Sequence, residues 1–130
     1  RDYHSRNLMV LKDNQPGILD FQDMMQGPVS YDLVSLLKDC YVDLDPFFAN
    51  SMKDYFLEHS PLKCDNFTHY FTLTCIQRHL KALGIFARLA YRDKNPNYLQ
   101  YLPRTLTYIK DVADNHPKLQ PLSELIKTLS

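Results

Sequence analysis

The sequence is short of several things at once. It has no tryptophan, three glycines and three cysteines in 130 residues, and its 15 basic side chains are matched by 15 acidic ones. Without a basic excess the chain lacks the charge by which a phosphate-backbone binder gains affinity through counterion release, so nucleic acid is disfavoured as a partner. No run of about 18 apolar residues occurs, which leaves no candidate membrane helix. Residues Arg1 to Arg6 hold neither a hydrophobic signal region nor an initiating methionine. Cys40, Cys64 and Cys75 are odd in number and widely spaced, and Cys40 and Cys75 have apolar neighbours. Reduced core thiols and a cytoplasmic location are the expectation. No glycine-rich phosphate loop, Gly-x-Ser-x-Gly, His-x-x-x-His or Cys-x-x-Cys appears, so neither a serine nucleophile nor a zinc cage is signalled.

What is present suits one domain with one core. Leu8 to Leu11 and Gly17 to Phe21 are short apolar runs separated by Lys12-Asp13-Asn14-Gln15-Pro16, a pattern that predicts two strands joined by a turn. After Gly27-Pro28 the period becomes helical. Leu33, Leu36, Leu37, Cys40 and Tyr41 share a face, with Ser30 as the candidate cap. Asp45-Pro46 predicts a second helix whose inner face carries Phe48, Met52, Tyr55 and Phe56 and which stops at His59-Ser60-Pro61. A long central helix is expected from a cap at Asp65 to about Tyr91. Pro96 to Leu102 and Pro103 to about Asn115 read as one kinked helix or two, and a last short helix follows Pro121, with Leu122, Leu125, Ile126 and Leu129 inward. The fold class is mainly α with a small β-hairpin.

Charge is segregated along this order. Residues 13 to 58 hold nine acids against Lys38 and Lys53, a net charge of −7, whereas residues 76 to 94 hold five basic residues against Asp93, a net charge of +4. Solvated faces are one reading. A divalent cation at the acidic end, with an anionic or polar substrate near the basic helix, is the other.

Asp2, Asn7 and Asp20 carry oxygen donors of the kind hard cations such as Mg2+ take. Asn7 immediately precedes the first strand and Asp20 lies near the end of the second. Pairing the strands across the turn would bring both to one end. Asp2, five residues before Asn7, shares its loop without being forced onto a metal. Taken singly, Asp2 also reads as a terminal charge, Asn7 as a turn residue and Asp20 as a strand-end cap.

At these residues the sequence resembles a known family. Arg1-Asp2-Tyr3-His4-Ser5-Arg6-Asn7-Leu8 is similar to the catalytic loop of kinase-like phosphotransferases, and Asp20-Phe21-Gln22 to their metal-binding Asp-Phe-Gly, with glutamine in place of glycine. With Gly17-Ile18-Leu19 before it and Gly27-Pro28, Tyr31-Asp32-Leu33 and Ser35-Leu36-Leu37 after it, the segment resembles the aminoglycoside phosphotransferase superfamily. Gln77-Arg78-His79-Leu80-Lys81 and Gly84 to Leu89 extend the likeness into the long helix. The resemblance implies the C-terminal lobe of a protein-kinase-like fold over residues 1 to 130, with the N-terminal nucleotide-binding lobe absent from this chain. It also implies ATP- and Mg2+-dependent phosphoryl transfer to a hydroxyl of a small sugar, N-acetylmuramate or N-acetylglucosamine in cell-wall recycling; an aminoglycoside or choline is the alternative acceptor.

By the same resemblance Asp2 would be the catalytic base, Asn7 and Asp20 would hold Mg2+ on the ATP phosphates, and Asp32 would brace the catalytic loop, although it also reads as a helix N-terminal acid. Asp23 is a secondary candidate for a metal contact or a loop-stabilising role. Arg78, His79 and Arg88 are candidates for substrate binding, or else for pairing with local acids. Only about nine residues separate Phe21 from Ser30, too few for a long activation segment, which favours a small-molecule acceptor. No strand-borne nucleotide lysine or hinge is present, so the isolated chain is expected to be inactive. Two rivals stand beside this reading: a hydrolase-like metal site of His4 with Asp2, Asp20 and Asp23, and a non-catalytic helical interaction module.

Overall fold

A computed structural model of the chain describes residues 3–20, 22, 26–62 and 64–128. It is mainly helical, with one two-stranded antiparallel hairpin, and divides into two compact units, residues 1–74 and 75–130.

In the first unit a 3-10 turn at Ser5–Asn7 runs into β1 (Leu8–Val10), which pairs with β2 (Pro16–Ile18). The register is Leu8 with Ile18, Met9 with Gly17 and Val10 with Pro16. Both strands are shorter than their apolar runs. Asn14 closes the turn with φ 64°, the left-handed conformation that asparagine tolerates. At the other end Asp20 takes φ 56°, which turns the chain off the ladder directly after Leu19. Gly17 is required by close approach, because a Cβ there would lie 2.8 Å from the Cγ of Met9 across the pair.

Helix α1 (Tyr31–Leu37) buries Val34, Ser35 and Leu37. The expected Ser30 cap takes another form: its carbonyl accepts the Val34 N–H at 2.9 Å, while its hydroxyl is buried against that of Thr74 at 2.8 Å. Periodicity alone would carry α1 on to Tyr41, but it stops at Leu37. Lys38 leaves helical geometry (φ −120°, ψ 46°), and the carboxylate of Asp39 takes the backbone N–H of Tyr41 at 2.7 Å, the local competition by which an aspartate ends a helix. Helix α2 (Pro46–His59) starts as its sequence dictates: Asp45 accepts the Phe48 N–H at 2.8 Å and Pro46 occupies the first turn. Its inward face is narrower than the apolar pattern, since Ala49 is buried while Phe48 and Tyr55 are exposed.

Helix α3 (Phe67–Tyr91) begins after Asn66, which has φ 61°. Its first turns belong to the first unit, where the Phe67 ring lies 5.9 Å from Phe56 and 6.0 Å from Phe71. In the second unit Pro96–Tyr101 forms a 3-10 turn and α4 (Leu102–Asp114) a separate helix. Pro103 therefore falls in a first turn, where its missing N–H removes no helical bond. Helix α5 (Gln120–Lys127) uses Pro121 in the same way. Ile76, Ile109 and Ile126 form the core of this unit, with Leu83, Leu106 and Leu122 packed on it. Phe86 stacks on Tyr98 at 5.8 Å and tilts against Tyr101 at 5.7 Å. Cys40 and Cys75 are buried free thiols, as expected. Among the described residues no helix is long and apolar enough to cross a membrane.

Candidate functional site

The hairpin fixes the central pair of residues. Beyond the last ladder pair, Leu8 with Ile18, the Leu19 N–H donates to the Asn7 carbonyl at 2.8 Å. Asn7 and Leu19 are thus opposed, and Asp20 follows at the same end. The Asn7 N–H closes the preceding 3-10 turn on the His4 carbonyl at 2.9 Å, so Asn7 is held through both of its backbone polar groups. Asn7 and Asp20, which carry an amide oxygen and a carboxylate, both hard donors, thus fall at the same end of the hairpin in the backbone pairing. That set fits Mg2+, which keeps several waters and takes one or two protein oxygens alongside substrate phosphates. Among the described residues no three or more His, Cys, Asp or Glu side chains gather as a metal cage.

A second feature of the same unit is a cavity of about 720 Å³ lined by Tyr3, Asp32, Leu33, Leu36, Phe56 and neighbouring residues. Its wall is mostly apolar, and Asp32 supplies a carboxylate from the first turn of α1, where a negative charge suits the helix N-terminus. Asp32 is exposed. A contact on the loop that the sequence motifs do not signal comes from Asp39, 1% exposed, which accepts the Ser5 N–H through Oδ2 at 2.7 Å as well as the Tyr41 N–H through Oδ1 at 2.7 Å. In an acidic stretch Asp39 reads as one more solvated charge. Its signal was its position, two places after Leu37 and directly before Cys40-Tyr41, where the apolar face continues and a carboxylate is buried only with partners.

Asp2 and Asp23 lie outside the described residues. Arg78, His79 and Arg88 fall in the second unit. His79 is fully buried, its Nδ1–H donating to the Cys75 carbonyl at 2.6 Å and its ring 5.0 Å from that of Tyr108. This is a packing position with no surface open to a solute, contrary to the expected substrate contact. Arg78 is buried as well, at 7% exposure. Arg88 is exposed and joins a local charge group. The Arg92 guanidinium, 2.6 Å from Asp93, holds that carboxyl below the usual carboxylate range, and Arg88 adds to the pull. Part of the positive charge of residues 76–94 is therefore paired with Asp93, just beyond the end of α3.

Comparison with known proteins places the loop, the hairpin and α1 in context. Residues 1–64 match the pattern described as the phosphotransferase enzyme family. The chain is 40% identical over 136 residues to the N-acetylmuramate/N-acetylglucosamine kinase of Neisseria meningitidis serogroup B. It is 39% identical over 136 residues to the protein of that name from Pseudomonas aeruginosa, and 40% identical over 138 residues to the one from Pseudomonas putida. Each match covers 99% of this chain and 40% of the relative, so the chain spans about two fifths of the length of the curated relatives it matches. The helical body with its small hairpin and these matches agree: residues 1–64 carry the pattern of the phosphotransferase enzyme family, and the fold is kinase-like.

Proposed function

We propose that residues 1–130 are the C-terminal lobe of a kinase that transfers the γ-phosphoryl group of ATP to a hydroxyl of N-acetylmuramate or N-acetylglucosamine, at the anomeric position. The observation that carries this reading is the backbone pairing that brings Asn7 and Asp20 to one end of the hairpin, with Asp2 five residues before Asn7 in the sequence. In the reaction the sugar hydroxyl oxygen bonds to the γ-phosphorus as the bond to the ADP oxygen breaks, and Asp2 accepts the hydroxyl proton. Asn7 and Asp20 would hold Mg2+, with Asp23 as a secondary contact. Bound there, the ion supplies positive charge against the phosphate oxygens. Because such a transfer asks the protein chiefly to align the reactants and balance charge, a few fixed oxygen donors on this lobe suffice. The relatives, which bear the names of these sugars, support the acceptor class.

The nucleotide-binding lobe is proposed to lie in the part of the protein outside these residues, and the setting to be cytoplasmic cell-wall sugar recycling. The test is ADP release by the protein carrying both lobes, with N-acetylmuramate, N-acetylglucosamine, choline and an aminoglycoside as acceptors. We expect turnover with the two N-acetylated sugars, and its loss in Asp2→Asn with ATP binding retained. Turnover with choline or the aminoglycoside alone would replace the acceptor, and turnover surviving in Asp2→Asn would remove the base.

A further inference from the structure

The segment directly after α1 holds the loop that lies between Asp2 and Asn7. Three consecutive loop residues are gripped by two residues of that segment. The buried carboxylate of Asp39 accepts the Ser5 N–H at 2.7 Å across 34 positions of sequence. The Tyr41 ring stands edge-on to the His4 ring, with centroids 5.1 Å apart and planes at 68°. The guanidinium carbon of Arg6 lies 4.1 Å from the centroid of the same Tyr41 ring, within cation–π range. Asp39 also fixes its own partner, because its second oxygen accepts the Tyr41 N–H. The two halves of the grip are thereby linked through one carboxylate.

We propose that Asp39 and Tyr41 are positioning residues for phosphoryl transfer: they set the path of residues 4–6 and with it the placement of Asn7. This rests on the kinase reading above for its catalytic consequence, but the grip itself does not depend on that reading. The chemistry favours a carboxylate at position 39. Both of its oxygens face N–H donors, and bonds to an ionised acceptor are shorter and about twice as strong as neutral ones. Asparagine would turn an NH2 donor toward one of the two N–H groups, leaving a buried donor unsatisfied. A loop released in this way keeps its residues while losing their alignment, and a misplacement of about 1 Å costs on the order of a hundredfold in rate.

The experiment compares Asp39→Asn, Tyr41→Leu and Tyr41→Phe with the unaltered protein carrying both lobes. It reads amide hydrogen exchange at Ser5 to Asn7 and, separately, kcat and KM for ATP and N-acetylmuramate. Asp39→Asn should speed exchange at the Ser5 amide at least about tenfold and lower kcat about ten- to a hundredfold, with each KM within about threefold. Tyr41→Leu should lower kcat in the same direction, and Tyr41→Phe, which keeps the ring against His4 and Arg6, should recover most of that loss. If Asp39→Asn does not fold, the Tyr41 pair carries the test by the same two readouts. Unchanged exchange at Ser5 overturns the grip. Unchanged kcat with faster exchange, or a change in KM alone, overturns the positioning role. Absence of turnover with every acceptor in the unaltered protein would instead overturn the kinase reading, and the exchange measurement would still decide the grip.

Discussion

Acidic side chains in this molecule do different work according to what faces them. Asp39 is buried with backbone N–H groups on both oxygens, Asp20 is exposed at the end of a strand pair, and Asp114 closes two segments of the second unit. The Ser123 hydroxyl donates to the Asp114 carboxylate and the Lys127 ammonium lies 3.7 Å away. The Ser123 bond first, then the charges of Lys127 and Lys110, hold the Asp114 carboxyl below its ordinary value. A carboxyl depressed in the folded state contributes stability that is complete above its unfolded value, and that contribution fades as pH falls through the lower folded value. We therefore expect the midpoint of thermal unfolding to drop as pH is lowered from about 5 toward 2. In Asp114→Asn part of that drop should be missing, as followed by circular dichroism. An identical pH dependence in the variant would contradict this account of Asp114.

At the scale of elements, the parts legible in the sequence are those that local chemistry decides. Asp45-Pro46 announces the start of α2, and the structure gives it the expected bond to the Phe48 N–H. Replacing Asp45 by alanine should cost about 1 kcal/mol, read as a lowered denaturant midpoint at unchanged slope; no shift would contradict the cap. The hairpin was equally readable, because apolar runs flanking an Asn-containing turn have few ways to pair, and the pairing carries Asn7 and Asp20 to one end. Helix α1 was not. Leu33, Leu36, Leu37, Cys40 and Tyr41 keep helical spacing, yet the helix ends at Leu37. Asp39 takes the Tyr41 N–H locally and with its other oxygen the Ser5 N–H, 34 residues away in sequence, and no periodicity reports a bond of that range. Motif likeness points to the acid in Tyr-Asp-Leu, whereas the burial of Asp39 against the Ser5 N–H is invisible in one sequence. His79 was misread for a related reason: a histidine in a basic stretch suggests an anion contact, and only packing reveals that it faces Cys75 and Tyr108.

At the scale of the molecule, the absences that open the sequence acquire a structural meaning. Neutrality conceals an acidic stretch, which includes the hairpin end, α1 and α2, and a basic stretch over residues 76–94 in which Arg92 pairs with Asp93 just beyond α3. The family match lies over residues 1–64, which include the hairpin, Asp32 and Asp39. The most direct test of the central claim, that Asn7 and Asp20 form the metal-binding end of a sugar kinase, is N-acetylmuramate-dependent ADP release by the two-lobed protein, titrated with Mg2+. The account predicts that Asp20→Asn lowers kcat at least about a hundredfold and raises the Mg2+ concentration needed for half-maximal rate, with the fold retained. Turnover in Asp20→Asn within about twofold of the unaltered protein, at unchanged Mg2+ dependence, would contradict it.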